Sequence, residues 1–321
     1  MKRQSPAVSI LIPAFNRQDL VVPCIESALA QTFDDLEVVV VDNQSTDGTW
    51  EAIQGCGRLD SRVRAFRNDT NVGPVRNWQR CMEEARAPLA KLLFSDDLIA
   101  PTFLEATVPF LEDERIGFVY TATEVGDEPG AGVVLYRDPC GTGTISSSEF
   151  RRAAVLNSPN SPVSPGCGLF RLADLRANVV AQLALPCHPD LSSHGAGPDL
   201  LLFLLTAARY ARIGHVAEPL AFFRSHPGSL TVQGLGGEIT QSYLLSRYWF
   251  AKAYGDVPPW RVLGNAWATG SKQLRRPATR NDLLGRHASC VGRNEAWIAG
   301  LRCMPAKTRS WLAYRLGRHT R

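Results

Sequence analysis

The chain has 321 residues, 45% hydrophobic and 21% charged, enough apolar content for one large domain or two and too much for a disordered segment. Its longest apolar run, Leu200–Leu205 continuing to Ala208, falls far short of the roughly 18 residues a membrane-spanning helix needs. The net charge of +4 hides an asymmetry: residues 1–235 hold 20 basic and 27 acidic side chains, whereas 236–321 hold 15 basic and four acidic.

Met1–Ala7 is mostly polar and Pro13 cuts off the apolar Val8–Ile12, unlike a secretory signal, so a cytoplasmic location is expected. Val8–Ile12 reads as a buried strand, and Asp19–Ala30, with Val21, Val22, Ile25, Ala28 and Leu29 at helical period, as a helix. Leu36–Val41 is a second strand, Asp42–Gly48 a turn-rich loop and Thr49–Cys56 a short helix. Arg62–Arg67 and Val72–Ala85 repeat the alternation. Leu89–Phe94 is a fourth strand running into Ser95-Asp96-Asp97, Pro101–Leu111 a fourth helix and Ile116–Thr121 a fifth strand. This order predicts an α/β fold with a mostly parallel sheet covered by helices on both faces. Ligands of such sheets bind beyond the carboxyl ends of the strands, where Asp42 and the Asp96–Asp97 pair fall.

Glu128–Gly132 reads as a hairpin tip and Asn157–Gly168 as loop, but Glu124 to Gly197 carries no informative period. Pro198–Tyr210 is a helix with Asp199 in its first turn, followed by two strand-like pieces, Ile213–Val216 and Leu220–Phe223, and the loop 224–229. Glu238–Tyr254, Trp260–Leu274, Arg280–Ala299 and Ala306–Arg318 read as largely basic helices. The expected division is a domain over 1–235 in two halves, about 1–121 and about 122–235, followed by a basic helical extension over 236–321. None of the eight cysteines falls in a C-x-x-C spacing, so they read as free thiols rather than zinc ligands or a disulfide scaffold.

The chemistry of the motifs is open residue by residue. Two adjacent carboxylates after an apolar strand suit a hard divalent cation shared with phosphates, yet Asp-Asp is also ordinary turn chemistry. Asp42-Asn43-Gln44-Ser45-Thr46-Asp47-Gly48 offers groups for a base or ribose, or equally an Asx-turn. Asp199 could take a proton from an acceptor hydroxyl, or simply serve the start of its helix. His226 could meet a metal or a diphosphate, although a lone loop histidine is usually solvated or structural. Dinucleotide, P-loop and nucleophile-elbow motifs follow none of the strands.

Taken together, these segments resemble family 2 glycosyltransferases of the GT-A fold. The match is carried by Val8–Arg17, Ser27–Phe33, Glu37–Asp42 with Asn43, Ser45, Asp47, Gly48 and Thr49, and Asn71-Val72-Gly73 with Arg76 and Asn77. It continues through Phe94–Asp97 with Pro101, Pro198-Asp199-Leu200 and Leu220–Thr231. The resemblance implies an inverting transfer from a nucleotide-diphosphate sugar, UDP-linked as is usual in the family, to a glycan or lipid-linked acceptor in cell-surface polysaccharide synthesis. It also implies that residues 1–235 are the GT-A catalytic domain, about 1–121 its nucleotide-binding half and about 122–235 its acceptor half, with acceptor specificity within Glu124 to Gly197. It implies that Pro13, Phe15, Asn16, Asp42 and Arg76 hold the nucleotide, with Asp96 on the ribose. Asp97 and His226 would serve a divalent metal, Mn²⁺ or Mg²⁺, Arg224 and Ser229 would lie against the diphosphate, and Asp199 would be the general base. Two departures stand out: Phe94 occupies a place where many members have another Asp, and Pro198 one where many have Glu. The competing readings are a non-catalytic nucleotide-sugar-binding relative or scaffold on the same fold, and a nucleotidyltransferase, which would carry a Gly-rich basic loop where Pro13–Asn16 stands. The basic extension either packs its aromatic residues against the catalytic domain or meets an anionic membrane at its inner face; no nucleic-acid partner is expected, because the motifs of RNA-binding modules are absent.

Overall fold

Runs of β-branched residues buried on both sides build the centre of the molecule. In the computed structural model, which describes residues 5–137, 141–186, 189–226, 228–229 and 236–269, β1 (Val8–Ala14) and β2 (Leu36–Asp42) are buried at every position. This is the pattern of parallel strands covered on both faces. The first half then alternates regularly: α1 (Val21–Leu29), α2 (Thr49–Leu59), β3 (Val63–Arg67), α3 (Pro74–Glu84), β4 (Leu89–Leu92), the two-residue β5 (Leu98–Ile99) and α4 (Phe103–Thr107). β6 (Ile116–Gly126) folds back through the 127–132 turn onto β7 (Val133–Leu135).

The described residues of the stretch without a sequence pattern include regular elements. It contains β8 (Gly143–Ser146), α5 (Ser147–Val155), β9 (Gly168–Arg171) and α6 (Leu172–Asn178). It leads to α7 (Pro198–Arg209), β10 (Arg212–Arg224), α8 (Gly236–Tyr254) and α9 (Pro259–Thr269). Two expectations need correction. The helix expected over Pro101–Leu111 is the short α4 followed by a 3₁₀ turn, Val108–Glu112, in which Pro109 has no N–H for an α-helical bond. The two pieces expected around 213–223 are one strand, β10, whose pairing with β6 slips on either side of Pro219, where a ladder donor is missing.

The sheet runs β3-β2-β1-β4-β9-β6-β10-β5, with β7 on β6 and β8 on β10. β3, β2, β1 and β4 are mutually parallel, and β6 is parallel to β10. The antiparallel β9 joins these two blocks, pairing with both β4 and β6. The fold is therefore α/β, a mostly parallel sheet flanked by helices, with further helices at its C-terminal end.

The second block is held by an aromatic cluster in which the Phe118 ring lies 5.3 Å from Phe170, 5.3 Å from Phe150 and 5.1 Å from Phe203. α7 is apolar all round and buried accordingly: Leu200, Leu201, Leu202 and Leu204 are inaccessible, each contributing up to roughly 2 kcal/mol. α8 packs against α7 and α5, burying Leu245, Tyr248 and Phe250. No helix of the described residues is long and apolar enough to cross a membrane. The helices expected over Arg280–Ala299 and Ala306–Arg318 lie outside the described residues.

Candidate active site

Five strands, β1, β2, β3, β4 and β10, deliver their following loops to the same edge of the sheet. β1 ends at Ala14 opposite Asp42 of β2, so Phe15-Asn16-Arg17 and the 43–48 loop emerge side by side. Asn16 adopts a left-handed backbone (φ 51°), a conformation asparagine tolerates. Its amide donates to Ser45 Oγ (2.9 Å), and its Oδ1 accepts from the Thr46 amide (2.9 Å). Asp42 is fully buried; it accepts from the Ser45 amide and hydroxyl, and Arg67 Nε lies 3.0 Å from its Oδ2. The Asx-turn reading therefore holds: Asp42 anchors an acidic loop, with Phe15 exposed at its lip.

Asparagines brace the same edge. Asn43 Nδ2 donates to Asn71 Oδ1 (2.8 Å), while Asn43 Oδ1 accepts from Asn68 Nδ2 (2.9 Å) and the Val72 amide (3.0 Å). Asn68 Nδ2 also donates to Asn77 Oδ1 (2.9 Å), and Asn77 Nδ2 donates to the Val41 carbonyl (3.2 Å). The Asn71-Val72-Gly73 turn is thus tied to the end of β2, with Gly73 at φ 82°.

After β4 the chain turns so that β5 pairs antiparallel with Phe222 and Ala221 of β10. That pairing sets Asp97 Oδ1 3.0 Å from the Arg224 amide, which donates to it. Asp96 lies on the other side, its Oδ2 accepting from His226 Nε2 (3.0 Å) and Arg17 Nε (3.3 Å). His226 Nδ1 accepts from the Gly228 amide, which assigns the ring proton to Nε2. Arg17 also donates to the carbonyls of Asn16 (3.0 Å) and Gly228 (3.2 Å), so one guanidinium joins the β1 loop, Asp96 and the late loop. Ser229 contributes a backbone bond to the His226 carbonyl. The sequence signal for Arg17 is its place directly after Asn16 at the end of a strand; its role depends on loops that only the fold brings together.

Asp97 is 7% exposed, and burial together with the Asp96 charge pushes its carboxyl well above the usual range. Beneath it the fully buried Lys91 donates to the Leu92 and Gly166 carbonyls, with its ammonium 4.7 Å from the Phe103 ring centre. Burial lowers the Lys91 pKa to about 8. Among the described residues no three His, Cys, Asp or Glu side chains converge as a metal cage. Two crowded carboxylates, one of them buried, instead fit a hard cation that draws its other ligands from a diphosphate.

A contiguous path links this edge to Asp199. Phe94, two residues before Asp96, lies 5.5 Å from the Trp78 ring, and Gly195 packs so closely on Trp78 that an added Cβ would lie 2.5 Å from Cη2. Two residues on, Gly197 (φ 102°) turns the chain into α7. Asp199 Oδ1 accepts from the Gly197 (2.8 Å) and Leu200 (2.6 Å) amides, while Oδ2 accepts from the Tyr243 hydroxyl of α8 (2.6 Å). One oxygen performs the helix-start role and the other faces elsewhere, so the two sequence readings of Asp199 are compatible. Burial pushes its carboxyl up to about 7, against the Tyr243 and backbone hydrogen bonds that lower it. Gly197→Ala is expected to destabilise the fold by roughly 2–4 kcal/mol in a urea melt, because its backbone is left-handed and the new Cβ would sit 2.6 Å from Ser246 Oγ.

Pro13 is buried inside β1, and Arg76 is exposed in the first turn of α3, directly after the Asn71-Val72-Gly73 turn, with its charge helping to lower the Asp190 pKa. Arg224 reaches the site through its backbone; among the described residues, its buried side-chain Nε has no hydrogen-bond partner.

Against this geometry, the model for glycosyl transferase family 2 matches residues 9–177, more than half of the chain. The chain belongs to glycosyl transferase family 2. The family comprises enzymes that move glycosyl groups, and the region it defines holds the acidic loop and the Asp96–Asp97 turn, while Asp199 and the late loop follow it. Among curated proteins, the UDP-Glc:alpha-D-GlcNAc-diphosphoundecaprenol beta-1,3-glucosyltransferase WfaP of Escherichia coli is 32% identical over 114 residues, 36% of this chain and 45% of that protein. The matched stretch covers 20% and 52% of two further relatives, so the chain spans about half the length, or less, of the curated relatives it matches. Among solved structures, S. aureus TarS residues 1–349 in complex with UDP-GlcNAc superposes with a TM-score of 0.68 at 17% identity, covering 96% of this chain and 86% of that one. The mannosyltransferase PcManGT of Pyrobaculum calidifontis, in complex with GDP-Man and Mn²⁺, gives 0.53 at 18% identity, covering 96% and 84%. The fold is thus that of the GT-A enzymes.

Proposed function

We propose that this protein transfers a sugar from a UDP-linked donor to an acceptor hydroxyl with inversion, in the assembly of a cell-surface glycan. The observation that carries the reading is the gathering of the Asn16–Asp42 loop and the Asp96–Asp97 turn on one edge of the sheet, linked through Phe94, Trp78 and Gly195 to Asp199, whose carboxyl burial pushes up to about 7. WfaP, by its name, uses UDP-Glc and a diphosphoundecaprenol-linked acceptor, and TarS was solved with UDP-GlcNAc; both support a UDP-sugar donor.

In this reading the 15–17 and 42–48 loops seat the nucleotide, with Asp42 and Asn16 fixing the base and Asp96 the ribose. Asp96 and Asp97, with His226 alongside, would hold a divalent cation, Mn²⁺ or Mg²⁺, whose charge favours departure of the nucleotide diphosphate. Arg17, Arg224 and the Ser229 end of the late loop add positive charge and donors facing the same leaving group. Asp199 Oδ2 accepts the acceptor's proton as its oxygen attacks the anomeric carbon. The bond from that carbon to the diphosphate breaks, and the electron pair leaves with the nucleotide. Residues 1–235 form the catalytic domain, to which α8 contributes across the boundary. Contact with an anionic membrane would fall to the basic C-terminal region, 236–321, through residues other than Tyr248 and Phe250, which are buried.

The test is a screen of nucleotide sugars by UDP release with Mn²⁺ and with EDTA, followed by NMR of the product's anomeric configuration. Metal-dependent release with one UDP-sugar and an inverted product is expected. UDP binding by calorimetry without release from any donor would point instead to a binding module.

A further inference from the structure

α8 belongs to the basic C-terminal segment, yet it reaches the carboxylate assigned above as the base. The Tyr243 hydroxyl donates to Asp199 Oδ2 at 2.6 Å. Arg247, one turn on, lies with its guanidinium carbon 5.5 Å from the Tyr243 ring centre, and is itself anchored by bonds to the Ala154 carbonyl (3.0 Å) and Asn157 Oδ1 (2.8 Å) at the end of α5. A second tether lies beside it, where Ser242 Oγ is 3.3 Å from His194 Nε2 in the loop before α7. Gly197 leaves room for this helix, for any side chain there would strike Ser246.

An ionised carboxylate offers about four lone pairs. Among the described residues, two backbone amides occupy Oδ1 and Tyr243 occupies one site on Oδ2. One lone pair of Oδ2 remains. We propose that Tyr243 is a positioning residue for the Asp199 base, fixing Oδ2 so that its remaining lone pair is left for the acceptor hydroxyl and α8 becomes part of the reaction centre. The inference rests on the assignment of Asp199 as base.

The groups bearing on Asp199 are Tyr243 and Arg247 from α8 and Tyr136 from the segment after β7, with His194 on the same seam. Burial and the Asp199 charge hold the Tyr243 phenol well above its ordinary pKa, so it stays a donor. Burial lowers the His194 pKa and pushes Tyr136 up, which leaves Arg247 as the cation of the group. A hydrogen bond from Tyr243 favours the ionised carboxylate, so its removal must raise the pH at which the base becomes available.

The experiment is the pH profile of kcat/KM for Tyr243→Phe and for a protein carrying a monofluorinated tyrosine, a stronger donor, at position 243. In Tyr243→Phe the acid limb should move up by about one pH unit, giving roughly tenfold slower transfer at pH 6 and recovery by pH 9, with the donor KM unchanged. The fluorinated protein should shift in the opposite direction. Melting curves establish that both are folded, and a purely structural role would not move the limb in opposite directions. An unmoved limb in both proteins, with Asp199→Asn inactive, overturns the role of Tyr243 alone. Transfer that persists in Asp199→Asn overturns the base assignment and this inference with it.

Discussion

Asp199→Asn is expected to slow transfer by at least about a thousandfold at pH 8 while leaving UDP binding intact. The substitution preserves shape: the amide oxygen can still accept from the Gly197 and Leu200 amides, and the Tyr243 oxygen can accept from the new amide group. What disappears is the proton acceptor. In the parent protein only the ionised carboxylate can act, so transfer should rise with pH through about 7, the value to which burial pushes the group. Stability runs the other way. The folded carboxyl holds its proton more tightly than the unfolded chain does, so its favourable contribution is complete below about pH 4. That contribution is lost as pH rises to about 7, a cost approaching roughly 4 kcal/mol. Asn carries no such cost, and urea melts should show the variant more stable than the parent by a margin larger at pH 8 than at pH 5. Undiminished transfer in the folded variant would remove Asp199 from the mechanism. An equal margin at both pH values would show that burial does not hold the carboxyl near 7.

The parts of this site that follow strands were legible in the sequence. Val8–Ala14 and Leu36–Asp42 are buried on both sides, so their apolar runs announce strands whose ends must carry the polar chemistry, and Asp42, Asp96 and Asp97 stand at such ends. The join between the two parallel blocks was not legible. β9 is only four residues long, and Gly168 and Phe170 are placed there by Phe118 and Phe203, partners distant in the chain. No local period encodes such a strand. Tyr243 was hidden for a similar reason: 44 residues separate it from Asp199, and the packing of α8 on α7 alone brings them together. Arg17 and the asparagine brace were visible as residues but not as a network, because a hydrogen-bonding role depends on which loops share an edge. The sheet order decides that, and it places Arg17 between Asp96 and Gly228.

Asp97→Asn should also abolish transfer, by about a thousandfold or more, and through a different loss. Its Oδ1 accepts from the Arg224 amide, a bond that an amide oxygen keeps, so the junction of β5 and β10 should survive and the protein should fold. The buried negative charge is what goes, and a neutral amide is a poor substitute for a carboxylate toward a hard cation. Mn²⁺ at a hundred times its dissociation constant stabilises a protein by about 2.7 kcal/mol, so with UDP present the parent should melt several degrees higher when Mn²⁺ is added. Asp97→Asn should lose that rise yet still bind UDP, because the Asn16–Asp42 loop is built from other residues. Asp96→Asn makes the informative contrast. Asp96 is already engaged by Arg17 and His226, so neutralising it should loosen the late loop and weaken nucleotide binding while keeping more of the Mn²⁺ response. A full Mn²⁺ shift in Asp97→Asn, with the shift lost in Asp96→Asn, would move the cation to Asp96 and His226 and leave Asp97 as the buried partner of Lys91 and the Arg224 amide.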